Sequence, residues 1–164
     1  MAAAVIRRVV AEDAAAIAAI YNRHVLETIV TFEETPVDEA TMRGRIAELD
    51  ASYAWFVAEV DGSVAGYAYA SAWRPRSAYR RSVETTVYVA DGALRRGVGT
   101  ALYEALLPEL AEQGFHCAMG GIALPNEGSV ALHERMGFVK VAHFREVGWK
   151  LGRWIDVSYW QRML

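Results

Sequence analysis

The sequence predicts one α/β (α+β) domain over residues 1–164, and three observations predict it. Short β-branched or alternating runs recur between longer stretches with helical apolar spacing. Asp61-Gly62-Ser63 separates two strand-like runs and is a strong hairpin signal. One strand passes through a glycine-containing turn straight into an apolar-periodic helix. No repeat, linker or low-complexity segment interrupts the pattern, so the elements belong to one mixed domain.

Each element has its own signal. Val5 to Val10 is β-branched and predicts a first strand. Ala14, Ile17, Ala18, Tyr21 and Val25 share one face of a helix over 11–26, with Glu12 and Asp13 suiting the positive end of its dipole. Ile29 to Phe32 reads as extended, Thr35-Pro36 as a helix-start signal, and Thr41 to Leu49 as the second helix. Tyr53–Val60 and Val64–Trp73 are the hairpin strands, followed by the loop RPRSAYRR. Ser82–Ala90 predicts a strand and Gly97–Gln113 a helix. Cys117–Leu124 predicts a strand that Gly120-Gly121 weakens. Asn126–Met136 predicts a helix closed by Gly137. Phe138–Val147 and Trp154–Arg162 predict two last strands joined through Gly148 to Gly152.

Bulk properties narrow the function classes. The chain has 164 residues, 54% of them hydrophobic, which suits one domain with a real core. A net charge of -3 argues against nucleic acid as a partner. A single cysteine, Cys117, excludes an intrachain disulfide and a cysteine metal cluster, and fits a reducing cytoplasm. The alanine-rich start is broken by Arg7, Arg8, Glu12 and Asp13, so no signal-peptide core is expected. No stretch reaches the roughly 20 apolar residues of a membrane helix. The expectation is a soluble cytoplasmic protein. His24, His116, His133 and His143 share no ligand spacing, so no metal site is expected.

The most informative stretch is ETTVYVADGALRRGVGTALYEALL, Glu84 to Leu107. A strand that feeds a helix through Gly97-Val98-Gly99 is a way to hold phosphate. The first helical amides lack internal acceptors, and the dipole makes that end electropositive. Arg95 and Arg96 add charge. The bland alternative is a tight turn with two solvated arginines. A Walker loop is absent, and a dinucleotide fingerprint needs a glycine where Leu102 stands. On the strand, Glu84, Thr86 and Tyr88 share one face, and Val83, Thr85, Val87 and Val89 the other. A carboxylate at mid-strand, beside an aromatic and a hydroxyl, is unusual for a solvated charge. Burial raises such a pKa towards a general base's range. The alternative is an exposed glutamate on an edge strand. RPRSAYRR carries four arginines, suited to pairing with carboxylate or phosphinate oxygens; the alternative is a solvated basic turn.

Arg95-Arg96-Gly97-Val98-Gly99-Thr100, then Asn126-Glu127-Gly128-Ser129 and Gly137-Phe138, resembles the acyl-CoA signature of GNAT-type N-acetyltransferases. The strand order is similar to that fold, a mixed and mostly antiparallel sheet flanked by helices. One departure is Leu94, where the signature usually has Gln or Arg; backbone amides are expected to carry most of the pyrophosphate binding. TFEETPVD, AWRPRSAY, VETTVYVADGALRRGVGTALY, IALPNEGSVALHERMGF and VGWKLGRWIDVSYWQ resemble the phosphinothricin and methionine sulfoximine acetyltransferases within that family, over about Val30 to Leu164.

The resemblance implies acetyl-CoA as co-substrate and an amino-acid-like acceptor acetylated on its amine. It implies Glu84 as base, acting directly or through water. It implies His133, two turns into the Asn126 helix, as thiolate acid, proton relay or packing residue. Val87, Tyr88 and Val89 would meet pantetheine with their backbone. Arg95, Arg96, Gly97, Val98, Gly99 and Thr100 would meet pyrophosphate. Asn126 and Ser129 would meet the reacting end of the cofactor, unless Asn126 is only a helix cap. Phe32, Arg74, Pro75, Arg76, Tyr79, Thr85 and Thr86 would contact the acceptor, leaving Arg80 and Arg81 solvated. A homodimer is also implied. Two other readings stay open: an acetyltransferase for a peptide N-terminus or another small amine, and a non-catalytic acyl-CoA sensor. The arginine loop disfavours a polyamine by charge repulsion.

Overall fold

The computed structural model describes residues 3–164. Seven strands form one sheet in the order β1-β2-β3-β4-β5-β7-β6. They are β1 (Val5–Arg8), β2 (Trp55–Val60), β3 (Ser63–Ala72), β4 (Ser82–Val89), β5 (Cys117–Ala123), β6 (Val139–Lys150) and β7 (Arg153–Met163). Four helices cover it: α1 (Ala14–Glu27), α2 (Glu39–Ser52), α3 (Val98–Glu112) and α4 (Glu127–Arg135). Every neighbouring pair is antiparallel except β4 and β5. Two parallel strands need a crossover, and α3 supplies it.

That parallel pair is short. Ser82, Val83 and Glu84 register with Cys117, Ala118 and Met119, and beyond Glu84 the strands part. β4 keeps its antiparallel partner β3 along its whole length, from Val83 opposite Ala72 to Val89 opposite Gly66. The sheet is therefore continuous at the base of β4 and open at its top.

Helix packing follows the apolar stripes. Leu102, Tyr103, Leu106, Leu107 and Leu110 of α3 are buried in a cluster with Ala58, Ala68, Ala70, Val83, Ala118 and Ile122. Small alanines on the strands let the large helix side chains sit close to the sheet. On the other face, Ile17, Tyr21 and Val25 of α1 and Met42 and Ile46 of α2 pack with Trp55, Val57 and Tyr67. Each fully buried leucine or isoleucine contributes about 1.5–3 kcal/mol.

Several boundaries differ from expectation for local reasons. β1 stops at Arg8, because a 3-10 turn over Ala11–Asp13 begins α1. Asp13 anchors that turn: it accepts from the Val10 N–H at 2.9 Å and from both Arg7 Nη atoms at 2.8 Å. Residues 29–32, expected as an extended stretch, form a bent loop. α2 begins at Glu39, earlier than the apolar spacing indicates, because Asp38 accepts from the Thr41 N–H at 2.7 Å and caps it. β6 runs on through Gly148 to Lys150, with a register shift between Phe144 and Gly148. There Glu146 has φ 51° and gives its N–H to Asp156 Oδ1 at 2.8 Å.

Hydrogen bonds from Arg7 hold the Asp13 carboxyl below its ordinary value, against the opposing effect of burial. Such a group stabilises the fold above the unfolded pKa near 4, and the contribution is lost as pH falls through the lowered folded value. Asp13→Asn should cost about 1–3 kcal/mol at neutral pH. Urea midpoints should show the gap to wild type shrinking as pH falls below about 4.

Candidate active site

Where β4 and β5 part lies a cleft of about 540 Å³. Its walls come from β4 (Glu84 to Tyr88), from β5 and the start of α4, and from β6 and β7 (Phe144, Val147, Val157, Tyr159). Val30 to Phe32 border it as a loop. β4 is the fourth of seven strands, so Glu84 does not sit on a sheet edge.

Glu84 is the last β4 residue registered with β5, which puts its carboxyl where the cleft begins. Burial raises its pKa, and the positive charge of Arg74 partly opposes the rise. Thr86 lies further up the same wall. On the side away from β3, no strand pairs with Thr85 to Val89 among the described residues. Peptide groups aimed that way are available to a ligand that can pair with a strand. The Tyr88 side chain is turned away, packed on Tyr21, His24 and Tyr67.

The inner end of the cleft is a polar chain. His133 is 3% exposed, and its Nδ1 lies 2.7 Å from the Ser129 carbonyl oxygen. A carbonyl only accepts, so Nδ1 carries the proton and Nε2 of the neutral ring is an acceptor. The Tyr103 hydroxyl lies 3.0 Å from Nε2 and 3.3 Å from Thr85 Oγ1, so it shares one proton between two acceptors. Thr85 in turn donates to the Met119 carbonyl oxygen at 3.4 Å. Burial lowers the His133 pKa, with the Ser129 carbonyl partly opposing, and the ring is neutral at physiological pH. Burial raises that of Tyr103.

His133 thus faces inward, as its helical spacing predicts, but both ring nitrogens are engaged by protein groups. Gly120 makes its seat: a Cβ there would stand 2.5 Å from His133 Nε2. A glycine that weakens β5 as a strand is needed for close approach. The sequence reading missed Tyr103. It lies between Leu102 and Leu106 and looks like one more apolar position of α3; only its packing against His133 reveals a role.

At the outer end, Gly97 sits before α3 with φ 77°, a left-handed conformation that glycine adopts without strain. Arg95 is also left-handed, at φ 60°. The Ala101 N–H reaches the Gly97 carbonyl at 3.0 Å, the first bond of the helix. The amides of Val98, Gly99 and Thr100 therefore have no helical acceptor. Gly99 has a steric task as well, since a Cβ there would come within 3.0 Å of Leu132 on α4. Arg95 and Arg96 are exposed beside this turn. Asn126 caps α4 by accepting from the Ser129 N–H at 3.1 Å, and it also lines the cleft, so both readings of Asn126 hold.

The arginine loop is only partly in place. Arg74 lines the cleft and its guanidinium lies 4.5 Å from the Trp73 ring centre. Pro75, Arg76 and Tyr79 are exposed and do not line it. Arg80 and Arg81 are exposed and lie outside the cleft lining; Arg81 also donates to the Gly114 carbonyl at 2.8 Å. Phe32 borders the cleft, against Gly148. Among the described residues no group of three His, Cys, Asp or Glu side chains is placed to hold a metal, and no helix is long and apolar enough to cross a membrane.

A strand edge open to a pseudo-peptide, leading to bare helix amides at one end and a half-buried carboxylate at the other, defines the class of acyl-CoA-dependent N-acyltransferases. A model of the acetyltransferase (GNAT) domain matches residues 6–159, and the chain belongs to that family. It is 41% identical to a phosphinothricin N-acetyltransferase of Streptomyces viridochromogenes, covering 96% of this chain and 86% of that protein. It is 37% identical to an L-methionine sulfoximine/L-methionine sulfone acetyltransferase of Pseudomonas aeruginosa, over 91% and 88% of the two chains. A crystal structure of a phosphinothricin acetyltransferase from Sinorhizobium meliloti in complex with acetyl-CoA is similar, with a TM-score of 0.95, 39% identity and coverage of 98% and 88%. The protein is a GNAT N-acetyltransferase that uses acetyl-CoA.

The buried imidazole gives a test of this geometry. In wild type, NMR should find His133 titrating below its ordinary value near 6.5. Gly120→Ala should push the ring outward, return its titration towards that value, and lower the melting temperature.

Proposed function

We propose that the enzyme acetylates the α-amine of a small amino-acid-like acceptor such as phosphinothricin, methionine sulfoximine or methionine sulfone. The observation that carries this reading is Glu84, a half-buried carboxylate of raised pKa at the apex of the cleft, with Arg74 on the same wall. An ammonium has no lone pair, so the acceptor must lose a proton before it attacks. Glu84 accepts that proton, directly or through water. Arg74 pairs with the acceptor's carboxylate. The relatives named above, which act on such compounds, support this choice of acceptor.

Acetyl-CoA supplies the activated acetyl group. The free amides of Val98, Gly99 and Thr100, with Arg95 and Arg96 beside them, suit its pyrophosphate. The peptide groups of Val87 to Val89 suit its pantetheine amides. Asn126 and Ser129 lie at the start of α4, where the reacting end would arrive. Tyr103 is fixed at the inner end of the cleft by His133 and Thr85, and His133, with both ring nitrogens engaged, holds that hydroxyl in place. The remaining proton of the attacking nitrogen, acidic once the C–N bond has formed, passes to the thiolate as the C–S bond breaks.

We further read the exposed apolar row on the last hairpin as the contact of a homodimer. It includes Val139, Val141, Val147, Trp149 and Trp154, each more than half exposed, with the Trp149 and Trp154 rings in contact, and exposed apolar side chains gathered on one hairpin suit an association surface.

Free-thiol release from acetyl-CoA tests the acceptor, with phosphinothricin, methionine sulfoximine, methionine sulfone, glutamate, spermidine and a short peptide compared. Release with one of the first three is expected. Release only with peptide or spermidine would overturn the acceptor assignment, and tight acetyl-CoA binding with no release would favour a sensor. Glu84→Gln should lower kcat about 10²- to 10⁴-fold. The acidic limb of the wild-type rate profile should lie above the ordinary glutamate value of 4.5. A raised folded pKa means stability is lost as pH rises through it. Glu84→Gln should therefore also melt higher than wild type at neutral pH.

A further inference from the structure

Lys150 and Gly148 lie at the end of β6, outside the catalytic chain described above. The Lys150 side chain is covered from solvent, with the residue 3% exposed, although it lies close beneath the surface. Its Nζ donates to the Thr31 carbonyl at 2.7 Å and to the His24 carbonyl at 3.1 Å. No carboxylate forms a salt bridge with it among the described residues. A covered ammonium held by two carbonyls is a costly arrangement unless it fixes something. What it fixes is the end of α1 and the loop behind it.

Two further contacts hold the same loop. Thr31 Oγ1 lies 2.9 Å from the Tyr21 hydroxyl. The tip of the Phe32 ring abuts Gly148, where a Cβ would fall on top of Cζ and Cε2. Gly148 follows the β6 register shift that also brings Phe144 and Val147 to the cleft. Gly148 and Lys150 thus both touch the loop, and Phe32 borders the cleft.

We propose that Gly148 and Lys150 are positioning residues that seat the loop over residues 28–34, so that Phe32 sets the width of the acceptor end of the cleft. The proposal rests on the amino-acid acceptor reading. Lys150 fixes the height of the loop through the Thr31 carbonyl. Gly148 fixes the lateral position of the ring by offering bare backbone. Any side chain at 148 forces the ring off its seat, because the ring atoms nearest it belong to a rigid group. The acceptor's side chain then meets a narrower or misplaced wall, and the acetyl-CoA end of the cleft is untouched.

The test compares wild type, Gly148→Ala, Lys150→Met and Gly148→Ala with Phe32→Leu. Steady-state kinetics use acetyl-CoA and whichever of phosphinothricin, methionine sulfoximine or methionine sulfone wild type acetylates best. Gly148→Ala should lower acceptor kcat/KM roughly 10- to 10²-fold, mainly through KM, with the KM for acetyl-CoA within about twofold. Gly148→Ala should also lower the melting temperature, and adding Phe32→Leu should recover most of that loss, because the shorter side chain clears the new Cβ. Lys150→Met should speed amide hydrogen exchange over residues 28–34 with β4 and α3 unchanged, a readout that needs no substrate. Unchanged acceptor kinetics in Gly148→Ala, no recovery with Phe32→Leu, or unaltered loop exchange in Lys150→Met would each overturn the seat. Wild type turning over none of the three acceptors would instead overturn the acceptor reading, while the exchange measurement still judges the loop.

Discussion

The parting of β4 from β5 is the constraint on which the site depends. A parallel pair that continued past Glu84 would satisfy both strands' backbone groups and leave no cleft. Buried peptide groups almost always find partners, so an edge opened inside a protein has to be held open and has to be filled. The holding is done at the apex. Thr85 spends its hydroxyl on the Met119 carbonyl, and Tyr103 and His133 fill the angle behind it. The rest of the architecture answers to this opening. α3 must start beside the top of β4 to offer its amides, and α4 must start beside β5 so that Asn126 and Ser129 border the gap.

The elements around the gap carry groups that a purely structural fold would avoid. Glu84 is a carboxylate whose burial disfavours its charge. His133 and Lys150 are both covered, and burial lowers the pKa of each. Each is carried by dense packing elsewhere: alanines under α3, a stacked aromatic layer of Trp55, Tyr67 and Tyr69 under α1 and α2, and a part-buried Arg7–Asp13 pair closing the first turn.

How much of this was legible in the sequence depends on whether a residue's role is local. The hairpin at Asp61-Gly62, the strand-to-helix glycine turn and the alternation that isolates Glu84 are short-range patterns, and the structure carries each of them. So does the cap at Asn126, whose partner is three residues away. Long-range roles left no such trace. Tyr103 meets a histidine 30 positions later, and Lys150 meets a carbonyl 119 positions earlier. Gly120 and Gly148 looked like interruptions of strands, because nothing nearby in sequence announces the ring that rests on each. The arginine loop was legible only in part: its composition pointed to Arg74 and Arg76, but of its arginines the path of the chain brings only Arg74 to the cleft.

The three registered pairs at the base of β4 have a mechanical consequence. Among the described residues they are the only ladder joining β1 to β4 with the block of β5, β7 and β6. The molecule is therefore a pair of arms on a short seam, packed from behind by α3 and tied across the cleft by Lys150 to the end of α1 and the loop after it. On the proposed placement, acetyl-CoA lies along one lip and reaches the other, and so becomes a strut across the seam. A ligand bound only by the folded state stabilises it by about 2.7 kcal/mol at roughly 100-fold excess over Kd. The rigidity of this enzyme is then partly on loan from its own co-substrate: as acetyl-CoA becomes scarce, turnover slows and the arms also loosen.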